Sequence, residues 1–73
     1  MDSTYLRITR LREQRRWTKA ELARQARINQ STLGLIENGR LLPYPSQLQK
    51  LAQALGVSEA DSKTLLEEVS VNA

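Results

Sequence analysis

Residues 29 to 38 read Asn-Gln-Ser-Thr-Leu-Gly-Leu-Ile-Glu-Asn. Wound as a helix with Leu33 and Ile36 turned inward, this stretch leaves Gln30, Ser31, Gly34, Leu35 and Asn38 on the other side. That side carries an amide, a hydroxyl and a bare backbone position, and it has no Lys or Glu between Gln30 and Leu35. An amide donates and accepts at once, a hydroxyl does either, and glycine allows close approach. These are groups for hydrogen-bonded recognition. The chain has no His and no Cys, which removes imidazole and thiol chemistry, Cys/His metal sites and disulfides. Its carboxylates are dispersed and form no nucleophile–base arrangement. The expectation is a protein that is not an enzyme and needs no cofactor or metal.

The elements that must position those residues are helices. Proline occurs only at 43 and 45, glycine only at 34, 39 and 56, and no strand-period alternation stands out. A first helix is predicted over 4–15, with Tyr5, Ile8 and Leu11 inward. A second is predicted over 18–26, opened by the capping box Thr18-Lys19-Ala20-Glu21 and facing the core with Leu22, Ala23 and Ala26. A break at Arg27-Ile28 leads to a third over 29–38, capped by Asn29 and ended by Asn38-Gly39. Residues 41–44 form a loop. Pro45 starts a fourth helix over 45–55, with Leu48, Leu51, Ala52 and Leu55 inward and Gly56 as its stop. Ser58 caps a fifth over 58–70, whose apolar residues are Leu65, Leu66 and Val69. The fold class expected is all-α: a single domain over 1–73, built as a compact bundle of five short helices.

Charge is divided unevenly. Residues 1–40 hold nine Lys/Arg and four Asp/Glu, a balance of +5, and residues 41–73 hold two and four, a balance of −2, within a net charge of +3. A basic half joined to an acidic half suits a polyanion on one face and something else on the other; ordinary solvated helix surface is the competing explanation. Apolar runs are too short to span a membrane. A core this small, without disulfides, is expected to be marginally stable alone and helped by self-association. Seventy-three residues are also expected to leave no room for a separate ligand-sensing module, so regulation is expected through concentration, a partner or competition for the binding target.

The second and third helices are joined by only a few residues, which forces a steep crossing, the helix-turn-helix arrangement. The uncharged outer face of the third then suits the base edges of double-stranded DNA, and its amide-rich start can accept a phosphate near Asn29. The segments Glu21-Leu22-Ala23, Ile28-Asn29-Gln30-Ser31-Thr32-Leu33 and Ile36-Glu37-Asn38-Gly39 resemble the Cro/repressor (XRE-type, lambda-repressor-like) helix-turn-helix family. The register continues through Pro43, Leu48, Leu51-Ala52 and Leu55-Gly56-Val57-Ser58, so the likeness covers about residues 6 to 60. Two departures stand out. Arg27 occupies the turn where the family usually has glycine, so it carries mild backbone strain and could add a phosphate contact. Leu35 stands where many relatives have a polar or smaller residue.

Gln30 is the first candidate for base contact, since its amide matches adenine N6 and N7. Ser31 can donate to or accept from a base edge, and Gly34 allows close approach. Leu35 has two readings, contact with a thymine methyl or burial against a neighbouring helix. Candidates for phosphate are Thr18 and Lys19 at the start of the second helix and Asn29, Asn38 and Arg40 at the ends of the third. Arg15, Arg16 and Arg24 are weaker candidates, better explained as solvated surface. Trp17 is a core or staple residue. Arg12 and Glu37 fall on inward stripes of opposite helices and should pair, since an unpaired buried charge is costly; the resemblance implies the same structural salt bridge.

The resemblance further implies a transcriptional regulator, most often a repressor, acting as a homodimer on a pseudo-palindromic site inside a bacterial or phage-type cytoplasm. Leu41, Leu42, Tyr44 and Val69 are the candidates for a dimer contact, while Leu65 and Leu66 are better used to close the core. An antitoxin or another module that binds a protein partner through the acidic half is the alternative, and a scaffold whose third helix never meets DNA is a weaker third.

Overall fold

The computed structural model describes the backbone of residues 3–71 and the side chains of residues 5–69. Strand β1 (Ser3–Leu6) leads into helices α1 (Arg7–Gln14), α2 (Lys19–Ala26), α3 (Gln30–Glu37) and α4 (Pro45–Ala54), then a 3₁₀ helix (Glu59–Leu66) and strand β2 (Glu68–Val71). The five helices form the bundle expected: α2 packs on α3 and α4, and the 3₁₀ helix packs on α4 and α1. Their buried stripes meet in one core of Ile8, Leu22, Ala23, Ala26, Leu33, Ile36, Leu48, Leu51, Ala52, Leu55 and Leu65. Leu66 is only partly buried against it. No helix is long and apolar enough to cross a membrane among the described residues.

The middle of the chain follows its local signals. The Thr18 hydroxyl accepts from the Glu21 amide at 3.1 Å. The reciprocal half of the expected box is replaced by an ion pair, because the Glu21 carboxylate takes Arg24 one turn along α2. Asn29 Oδ1 accepts from the Ser31 amide at 2.8 Å and the Thr32 amide at 3.4 Å. At the end of α3 the Arg40 amide donates to the Leu35 carbonyl at 2.9 Å and the Gly39 amide to the Ile36 carbonyl at 3.1 Å. With Gly39 at φ +72°, this is the Schellman arrangement. The other α-helices end in the same way, with Arg16, Arg27 and Gly56 in the left-handed position at φ +59°, +58° and +70°.

Both ends of the chain differ from expectation. The predicted first helix over 4–15 begins at Arg7, and Tyr5 lies in β1. The predicted fifth helix over 58–70 is a 3₁₀ helix ending at Leu66, and Val69 lies in β2. The strands pair antiparallel, Tyr5 opposite Val69 and Leu6 opposite Glu68. Glu68-Val69-Ser70-Val71 does alternate polar and apolar residues, over a span too short to announce itself, and its partner lies at the other end of the sequence. The 3₁₀ geometry also has a local cause. The Thr64 hydroxyl donates to the Asp61 carbonyl at 2.6 Å, competing for an acceptor that an α-helix would use. Ser58 does not cap as expected; its hydroxyl donates to the Asp61 carboxylate at 3.0 Å.

Candidate nucleic-acid interface

Three residues, Arg27 to Asn29, separate α2 from α3. Arg27 takes the left-handed conformation, φ +58° and ψ +45°, and this lets the chain reverse between two helices that share Leu22, Ala23, Ala26, Leu33 and Ile36 as a common core. The packing determines which side of α3 remains outside. Leu33, Ile36 and Glu37 are buried, whereas Gln30, Ser31 and Asn38 are exposed and Leu35 is 44% exposed. A Cβ built on Gly34 would meet nothing within 4 Å, so this position opens outward too. The one charged residue of α3 is turned inward, and the face it leaves bare is neutral.

Glu37 is held by the core end of α1. Arg12 donates from Nε to Oε2 at 2.9 Å and from Nη2 to Oε1 at 3.0 Å, and the Thr9 hydroxyl donates to Oε1 at 2.8 Å. The Glu37 side chain is 2% exposed. Three donors on one carboxylate offset the cost of taking it out of water. The third guanidinium nitrogen, Nη1, donates to the Trp17 carbonyl at 2.8 Å. Arg12 thus ties the last residue of α3 to the residue before the cap of α2. Thr9 lies three residues before Arg12 on the same face of α1, so helical spacing could have marked it, but a short hydroxyl among basic residues gives no signal of its own.

The candidates that flank this face in the sequence lie at the surface. Thr18, Asn29, Asn38 and Arg40 are exposed and Lys19 is partly so. Asn29 uses its Oδ1 to cap α3, which leaves its amide nitrogen as the group able to reach an anion. Arg16, Trp17, Thr18, Glu21 and Arg24 line one shallow depression at the start of α2. Trp17 is partly buried against the core, as a staple would be. Arg15 points elsewhere: its Nη2 donates to the Leu55 carbonyl at 2.7 Å.

Away from this side, Leu42 and Tyr44 are 80% and 73% exposed, and Leu41 is exposed beside them. Leu42, Pro43, Pro45, Leu48 and Leu66 line an apolar groove of about 530 Å³. Val69 does not join them. It lines a separate depression with Arg7, Leu11 and Glu67. No group of three or more His, Cys, Asp or Glu is arranged to hold a metal among the described residues.

A family model described as a helix-turn-helix domain matches residues 6–65. No curated protein matches the chain, and no solved structure does. The match spans β1's last residue through most of the 3₁₀ helix and contains the α2–turn–α3 unit with both of its caps. This chain belongs to the helix-turn-helix domain family, a DNA-binding fold.

Proposed function

We propose that the protein is a sequence-specific transcriptional regulator of the Cro/repressor (XRE) type that binds double-stranded DNA with α3 in the major groove. The observation that carries the reading is the outer face of α3, where Gln30, Ser31, Gly34 and Leu35 stand clear of the core while Glu37, the helix's one charge, is buried against Arg12. A helix kept outside only for solubility gains from charge on that face; one that reads base edges needs short neutral groups there. Gln30 and Ser31 supply hydrogen bonds to bases, Gly34 permits close approach, and Leu35 reaches a thymine methyl. Thr18, Lys19, Asn29, Asn38 and Arg40 hold phosphates on either side. The repressor role rests on the resemblance alone.

A homodimer on two half-sites about one helical turn apart is part of this reading, with Leu41, Leu42 and Tyr44 as the candidate contact; Val69, the fourth candidate, lines a separate depression. The apolar groove beside Leu42 also favours a second reading, in which the same surface takes a different protein, as in an antitoxin. Selection of bound sequences from random duplex DNA at two salt concentrations tests the main reading. A recurring motif with a second copy one turn away supports it, and equal retention of selected and scrambled duplexes refutes it. Co-purification of a distinct protein that masks Leu42 would favour the second reading.

A further inference from the structure

Arg15 and Gly56 meet across the molecule from the ends of α1 and α4. Arg15 is the C-terminal cap of α1, and Leu55, just before Gly56, is the C-terminal cap of α4. Arg15 Nη2 donates to the Leu55 carbonyl at 2.7 Å, a cation on the carbonyl end of a helix. A Cβ at position 56 would come within 3.1 Å of that nitrogen, so the bare backbone of Gly56 provides the space the guanidinium occupies. The guanidinium carbon also lies 5.6 Å from the centroid of the Trp17 ring, within cation–π range. Trp17 is held at its other end, its carbonyl by Arg12 Nη1 at 2.8 Å and its amide on the Arg12 carbonyl at 3.2 Å. The next residue is Thr18, the N-cap of α2.

We propose that Arg15 is a positioning residue for DNA binding: by spanning the α4 terminus and the Trp17 ring it fixes where α2 begins, and it is not itself a phosphate ligand. The inference rests on the reading that Thr18 and Lys19 meet the DNA backbone. A surface cation of the basic half is here engaged by the protein's own backbone and by the Trp17 ring, and its effect on DNA is relayed through Trp17. Arg12 sets the carbonyl side of Trp17 and Arg15 its ring, so together they leave the start of α2 little freedom relative to α3.

The test uses the whole chain and a duplex from the selected pool, with affinity measured between about 50 and 200 mM salt well below the melting midpoint. Arg15→Met keeps the apolar stem and loses the guanidinium. Arg15→Gln keeps an N–H for the Leu55 carbonyl and loses the charge. Arg15→Met is expected to weaken binding about three- to tenfold at every salt concentration, with the salt slope unchanged and the Trp17 emission of the free protein shifted. Arg15→Gln is expected to retain the wild-type slope and more of the affinity. A slope lower by about 0.9 in either variant would make Arg15 a phosphate ligand and overturn the proposal. Unchanged affinity in a folded Arg15→Met would reduce it to a stabilising residue and overturn it equally. A wild-type protein that holds no duplex defeats the DNA-binding reading itself, whereas a binding wild type with either of those variant results defeats this inference alone.

Discussion

Arg12 grips Glu37 at two points and the Trp17 carbonyl at a third, with all three distances between 2.8 and 3.0 Å. One guanidinium therefore sets the last residue of α3 against the start of α2, the two elements that make the helix-turn-helix. Every buried side-chain nitrogen and oxygen among the described residues has a partner, so loss of either member leaves a charge stranded in the core. Glu37→Ala is expected to lose about 3–5 kcal/mol in urea unfolding. The Arg12→Met, Glu37→Leu double variant should recover much of that loss, because it strands no charge. An unchanged melting temperature in Glu37→Ala would contradict the geometry.

Arg16 and Arg27 occupy left-handed positions that Gly39 and Gly56 fill at the other two helix ends. A side chain there costs about 1 kcal/mol or more, part of which glycine returns as entropy of the unfolded chain. Arg27→Gly is expected to raise stability by about 0.5–1 kcal/mol, a few degrees in melting midpoint for a domain of this size. Gly39→Ala should lower it by a similar amount. Calorimetry of the two variants side by side measures both signs.

Gln30 is exposed at the first position of α3 and forms none of that helix's capping bonds. Gln30→Ala is therefore expected to leave the melting curve in place. On the selected site it should cost about 1–3 kcal/mol of binding and relax selectivity at one base pair. An equal loss on every duplex would assign Gln30 to the backbone instead of a base.

Arg40 follows Gly39 at the exposed end of α3, with its amide on the Leu35 carbonyl. Arg40→Ala should reduce affinity evenly across sequences and lower the salt slope by about 0.9. Its contrast with Arg15, for which no change in slope is expected, tests whether the two arginines act differently on DNA.

Leu42 is 80% exposed, so Leu42→Glu should leave monomer stability unchanged. If the dimer reading is right, sedimentation of the variant shifts to monomer and cooperative occupancy of a two-half-site duplex is lost. A variant that still binds both half-sites cooperatively would move the contact elsewhere.

Much of the positioning machinery was legible in the chain itself. Thr18 and Asn29 mark helix starts because their oxygens satisfy amides two or three residues away, and Gly39 and Gly56 mark ends because the left-handed turn is a property of one residue. The pairing of Arg12 with Glu37 follows from two charges on inward stripes. Thr9 on Glu37 and Arg15 on the Leu55 carbonyl did not follow, since a hydroxyl or a long cation on a helix has many acceptors within reach and packing chooses among them.

The amino-acid sequence alone thus determined α2, the turn, α3 and α4, together with the uncharged side of α3, because helical hydrogen bonds and helical periodicity close within a few residues. Tertiary structure decided the rest: that residues 3–6 and 68–71 pair as strands, that residues 59–66 wind as a 3₁₀ helix, and that Arg15 places its Nη2 on the end of α4. A strand finds its hydrogen-bond partners only when a distant segment arrives beside it, and a guanidinium settles on whichever carbonyl the folded backbone presents. Neither condition exists until the helices have packed.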